Sequence, residues 1–142
     1  MKRKISVLMA VLLLALLTLT GCRGARPLPE GMEEEAVGEA AREIVALLVD
    51  GNYQEVADSF RPEVKEEYSV TADTVKAMMD TVSEAGGYVK TTRTLVVGGD
   101  SKKFTEPYAA TAVYCEHQSK DVIYEISFDA DLKVIGLQVK QK

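Results

Sequence analysis

Chemically reactive side chains are scarce in this sequence. Among 142 residues there is one histidine, His117, and only two cysteines, Cys22 and Cys115. No Gly-x-Ser-x-Gly elbow, His-Glu-x-x-His helix, phosphate loop or calcium loop occurs, so the short motifs that announce nucleophilic, zinc, nucleotide or calcium chemistry are missing. No metal site and no cofactor are expected. Basic charge is also short, with 17 Lys and Arg against 22 Asp and Glu, a net of −5. Nucleic acid rewards clustered Lys and Arg, so it is excluded as a partner.

What the chain does have is a distinctive opening. Lys2, Arg3 and Lys4 precede an apolar run, Ile5 to Leu19, broken only by Ser6 and Thr18. A positive start and a short apolar stretch define a secretory signal. A spanning helix needs roughly 20 apolar residues to cross about 30 Å of hydrocarbon, and this run falls short before Gly21, Cys22 and Arg23. The ending Leu19-Thr20-Gly21-Cys22 resembles the lipobox of bacterial lipoproteins: a branched apolar residue, two small ones, then an obligatory cysteine. That resemblance implies cleavage after Gly21, a diacylglycerol thioether on Cys22, and residence on the extracytoplasmic side of a cell membrane. A plain cleaved signal or a retained helix are the competing readings. Two acyl chains at about 0.8 kcal/mol per buried methylene hold a protein on a membrane, where one chain binds only marginally.

Residues 1–21 are thus expected to be removed, and residues 22–31 to form a lipidated tether ahead of a single domain over residues 32–142. Removal takes three basic and no acidic residues, leaving 14 basic against 22 acidic, a net of −8. With Cys22 committed to lipid, Cys115 has no disulfide partner and reads as a small core hydrophobe in a strand. Arg23 to Gly31 has no apolar period and four helix breakers; at about 3.3 Å per extended residue it spans roughly 30 Å at most. Arg23 and Arg26 would sit at the lipid headgroups.

The domain opens with a predicted helix over Glu33 to Asp50, with Val37, Ala40, Ala41, Ile44, Val45, Leu47 and Leu48 as its buried stripe. Glu33, Glu34 and Glu35 meet the positive end of the helix dipole, and Gly51 supplies a left-handed stop. A short second helix carries Val56, Ala57 and Phe60 and ends at Pro62. A segment with Val64 and Tyr68 leads to a third helix, capped by Thr71, with Val75, Met78, Met79 and Val82 at helical spacing. After Gly86-Gly87 the composition shifts to Val, Thr, Tyr and Ile with alternating polarity. Strands are predicted near Tyr88 to Val97, Thr105 to His117, Asp121 to Asp129 and Lys133 to Gln141. The second strand has similar apolar content on both faces, so both are candidates for cover.

Three helices followed by four strands, with Gly51-Asn52-Tyr53, Val56 and Phe60 on the helical hairpin, resemble the nuclear-transport-factor-two-like superfamily over roughly Ala36 to Lys142. Within it, the chain is most similar to a bacterial family of unknown function whose members are often short lipoproteins or accessory segments of hydrolases. The resemblance implies an α+β fold, three helices packed on a curved four-stranded antiparallel sheet, the cystatin-like cone. Enzymes on such a fold place an acid or base beside a Tyr inside the cone. Here His117 is expected at the surface, because the second strand runs into a turn there. A Cys115–His117 dyad is disfavoured, since residues two apart in a strand lie about 6.6 Å apart. Glu125 is the best acid if it faces inward, although a solvated strand position is its ordinary reading.

If the cone stays open, Tyr53, Phe60, Met78, Met79, Tyr88, Tyr114, Tyr124 and Phe128 are the candidate lining; the alternative is that they fill the core. The expected function is a membrane-anchored, non-catalytic module binding a small apolar ligand or a neighbouring envelope protein. The alternatives are a cone-pocket isomerase or hydratase using Glu125, Tyr114 or Tyr124, and a structural domain that forms a homodimer through the open face of its sheet.

Overall fold

The first helix among the described residues, α1 (Glu34–Val49), starts with Glu34 and Glu35 in its first turn and no side-chain cap. The computed structural model describes residues 26–99, 104 and 106–142, so the signal segment and Cys22 lie outside the described residues. Val37, Gly38, Ala41, Ile44, Val45 and Leu48 form the buried stripe of α1, with Ala40 and Leu47 half-buried beside it. The helix ends in a Schellman motif: Gly51 N–H donates to Leu48 O at 3.2 Å and Asn52 N–H to Leu47 O at 2.9 Å, with Gly51 at φ +79°.

Three short helices follow, α2 (Tyr53–Asp58), α3 (Pro62–Glu67) and α4 (Ala72–Asp80). Among the described residues, four α-helices thus stand where three were expected. The α2 helix stops at Asp58, four residues before the expected stop at Pro62, and leaves Phe60 outside it in a bridge with Val134. Pro62 instead opens α3 from its first turn, where a missing N–H costs nothing. The α3 helix closes by the same Schellman pairing, Ser69 N–H to Glu66 O and Val70 N–H to Lys65 O, with Ser69 at φ +52°. Thr71 caps α4 through a reciprocal box with Thr74: each backbone N–H donates to the other's hydroxyl, at 2.8 and 3.2 Å. A 3-10 turn (Ser83–Ala85) completes the helical part.

Four strands make one antiparallel sheet in chain order: β1 (Tyr88–Gly98), β2 (Ala109–His117), β3 (Asp121–Phe128) and β4 (Val134–Gln141). β2 begins four residues later than predicted, since Pro107 cannot donate to the ladder and Tyr108 turns inward to the core. Val113, Cys115, Val122, Tyr124, Ile126 and Phe128 are buried on the face that meets α1. The other face of β2 is half-buried by its own neighbours, with the Arg93 guanidinium 4.7 Å from the centre of the Tyr114 ring. Register shifts in β1 and between Ser127 and Phe128 bend the sheet. The second of these buries both Val134 and Ile135, breaking the simple alternation expected of β4.

The corner between α2 and α3 is tied to β4: Val134 N–H donates to Ser59 O and Arg61 N–H to Val134 O, both at 2.9 Å. Arg61 also pairs with Glu106 and lies 3.6 Å from the buried Asp129 carboxylate. The Glu106 hydrogen bond, more than the nearby Asp129 charge, raises the Arg61 pKa above its ordinary value.

A left-handed backbone suits glycine and strains other residues. Gly51→Ala is therefore expected to lower unfolding free energy by about 1 kcal/mol. Ser69→Gly should raise it by a few tenths of a kcal/mol, since relief of strain is offset by a freer unfolded chain. Urea denaturation of both variants checks the pair, and equal effects of one sign would contradict the assignment.

Candidate functional site

The short helices cover the sheet unevenly, and along the β4 edge they leave a cleft of about 270 Å³. Its walls are Phe60, Val64, Tyr68 and Val70 from α3 and its flanks, Thr74, Val75 and Met78 from α4, and Ile135, Gly136 and Leu137 from β4. The local sequence explains the shape. The Schellman turn at Ser69 throws Val70 back toward the fold, and the Thr71 box then launches α4 with Val75 and Met78 facing β4. No lining residue is acidic, basic or a thiol. Phe60 and Val70 are shared with a neighbouring hollow, where Lys65 donates to Asp58 at 2.8 Å. That contact, followed by the Gln54 hydrogen bond, holds the exposed Asp58 carboxyl below its ordinary pKa.

A second constellation lies in the core. His117 is only 7 % exposed, a correction to the surface position expected for it. The alternation of Val113, Cys115 and His117 carries it onto the core face, and the 3-10 turn covers it. Its Nδ1 lies 2.8 Å from Gly86 O and its Nε2 3.0 Å from the Tyr124 hydroxyl. A carbonyl only accepts, so Nδ1 carries a proton, and in the neutral ring Nε2 accepts from Tyr124. Tyr88 packs edge-on to the imidazole at 5.8 Å between ring centres. Cys115 contacts Thr91 Oγ1 at 3.6 Å rather than His117, so the residues do not form a dyad.

Around this imidazole the β2–β3 hairpin is clasped to the turn before β1. Gln118 N–H donates to Gly87 O at 2.9 Å, Gly87 N–H to Gln118 Oε1 at 3.0 Å, and Ser119 N–H to Ala85 O at 2.8 Å. Every polar atom of the His117 ring is thus engaged in holding two segments together. Its geometry is that of a strut.

The eight pocket candidates do not share one cavity. Phe60 and Met78 line the cleft. Tyr53 and Met79 pack half-buried against the core, and Tyr124 and Phe128 fill it. Tyr88 borders a separate hollow with Arg42, Val45 and Thr91. Tyr114 lies on the opposite face of the sheet, because it is out of phase with the buried residues of β2. Glu125 shares that outer face and accepts from Lys140 Nζ at 2.9 Å, so it does not enter the core. The aliphatic walls Val64, Val70, Ile135 and Leu137 were not among the candidates. Their signal was the Ser69–Thr71 turn together with the bulge in β4. Among the described residues, no group of three or more His, Cys, Asp or Glu is placed to hold a metal ion.

Four helices against one face of an open antiparallel sheet, with an apolar cleft at its last strand, define an α+β domain of the one-sided type. Residues 41–137 match the family model described as a protein of unknown function, DUF3887, and the chain belongs to that family. A solved structure with this fold is the NMR structure of a protein from Ruminococcus gnavus ATCC 29149, at 17% identity and a TM-score of 0.66. The match covers 80% of this chain and 96% of that one. No curated protein matches the chain.

Burial raises the Tyr124 phenol well above its ordinary value of 10.0, with the nearby Cys115 adding to the effect. Burial likewise pushes the Cys115 thiol above 9.0, partly opposed by the Thr91 hydrogen bond. Unfolded, these groups lose their protons at the ordinary values while the native chain still holds them. Stability is therefore intact below about pH 9 and falls as pH rises toward the native pKa values. Tyr124→Phe should flatten the fall above pH 10 and cost about 1–2 kcal/mol at neutral pH by leaving His117 Nε2 without a donor. Urea midpoints across pH 7–11 check this, and an unchanged alkaline limb in the variant would contradict it.

Proposed function

We propose that the protein is a lipoprotein held on the extracytoplasmic face of a cell membrane by acylated Cys22, and that its domain binds a small apolar ligand in the β4-edge cleft without catalysing a reaction. Leu19-Thr20-Gly21-Cys22 supports the anchor. The observation that carries the binding reading is the set of side chains lining the cleft, which are apolar apart from the Tyr68 and Thr74 hydroxyls. Such sites recognise a ligand mainly by burying its hydrocarbon surface and orient it with few polar groups. A nuclear-transport-factor-two-like ancestry would fit, since that superfold hosts enzymes and plain binders alike. A second reading, a homodimer formed through the outer sheet face, is favoured by the exposed Leu95 beside Val97, Ala112 and Tyr114.

Two measurements test the proposal. Cys22→Ala should move the protein out of the lipid-modified membrane fraction, with no diacylglycerol on its amino-terminal peptide. Met78→Lys, which brings a charge to the cleft wall, should weaken binding of an apolar fluorescent dye by about tenfold or more, whereas Leu95→Lys should leave it unchanged. Dye binding indifferent to Met78 would remove the cleft as the site.

A further inference from the structure

The route by which the chain enters the fold has a consequence that rests on the lipoprotein reading. Arg26 forms an antiparallel bridge with Gly98, whose N–H donates to the Arg26 carbonyl at 2.8 Å. A Cβ at Gly98 would overlap the carbonyl of Pro27, so the arm is packed onto the β1 edge rather than standing clear as a spacer. β1 runs from Tyr88 toward Gly98. An antiparallel arm runs the other way, so Arg26 enters the pairing from the Gly98 end of the sheet. Only four residue steps separate Arg26 from Cys22, a reach of about 14 Å at full extension.

The same end holds Gly98, Ala109, Phe128 and Val134, which pair across the sheet in one row. Just beyond them is the β3–β4 turn, held by the Asp129 carboxylate, which accepts from the Asp131 and Lys133 N–H groups at 2.9 Å each. Leu132 in this turn is 38 % exposed and sits at φ +58°. A leucine there is strained by its backbone and wets an apolar side chain, when Asn or Gly would do neither. Backbone outliers of this kind are retained where the side chain has a use. Among the described residues, basic Arg26, Arg61 and Lys133 stand with acidic Glu63, Glu106, Asp129 and Asp131 at this end, and Glu34 and Glu35 of α1 lie beside Val96 of β1. This end is therefore acidic, and the acyl anchor rather than charge attraction would hold it at a bilayer.

We propose that the Gly98 end of the sheet faces the bilayer and that Leu132 enters the headgroup layer, a lipid surface being the partner of this end. The cleft wall begins at Ile135, next to Val134 of the end row, so the cleft lies on the membrane-near half of the domain. The β2–β3 hairpin with Ser119 points away.

The test uses the full-length lipidated protein in vesicles of phosphatidylethanolamine and phosphatidylglycerol carrying headgroup nitroxides. An environment-sensitive fluorophore is attached through Leu132→Cys or Ser119→Cys, with the buried Cys115 controlled by labelling the parent protein. Quenching several-fold stronger at position 132 than at 119 is expected. Equal quenching, or stronger quenching at 119, would overturn the orientation while leaving the lipoprotein reading intact. An amino-terminal peptide without lipid would overturn both. Leu132→Asn separates lipid contact from folding: its thermal midpoint should hold or rise, and a clear fall would make Leu132 a residue of the fold rather than of the membrane contact.

Discussion

The domain depends on one largely apolar sheet face. Val113 and Cys115 of β2, with Val122, Tyr124, Ile126 and Phe128 of β3, are all almost wholly buried against the α1 stripe of Val37, Ala41, Ile44, Val45 and Leu48. Each such side chain contributes about 1.5–3 kcal/mol when fully buried, which sets the central strands as the anchor of the fold. The helix lies over β1, β2 and β3, and the outermost strand is left to the short helices. Those helices are too brief to seal it. The cleft is thus a by-product of how the helical layer is divided, made permanent by two Schellman turns and one capping box.

The periodic parts of this architecture were legible in the residues. The α1 stripe, the Gly51 stop, the Thr71 cap and the order of four strands all follow from spacing and turn chemistry, and each is present. What spacing cannot carry is three-dimensional reach. His117 looked exposed because a turn follows it, yet strand alternation puts it on the core face and Gly86 arrives from 31 residues earlier to cover it. Of the aromatic pocket candidates only Phe60 lines the cleft; Tyr124 and Phe128 were drawn into the core and Tyr114 onto the far face, since large rings are also the most rewarding groups to bury. The cleft walls missed from the sequence are mostly aliphatic. They depend on a bulge at Val134–Ile135 and a left-handed serine, neither of which has a strong sequence signature.

The two ends of the sheet serve different purposes. At one end His117, Tyr124 and the Gln118 hairpin form a closed hydrogen-bond clasp with no spare valence, which suits rigidity. At the other, the amino-terminal arm is seated, Arg61 braces three segments, and the cleft opens along β4. A polar strut far from the arm and an apolar cavity nearer to it suit a module that holds something close to a surface. Belonging to the DUF3887 family states kinship, and the shared fold states architecture; the proposal of function stands on the cleft and the anchor signal.

Native mass spectrometry of the intact protein released gently from membranes addresses the central claim in one measurement. The account predicts a polypeptide beginning at Cys22, increased by the mass of a diacylglyceryl group, that carries one further non-covalent apolar molecule. A chain that retains Met1 to Gly21, or a lipidated chain that is bare and takes up no apolar molecule on titration, would contradict it.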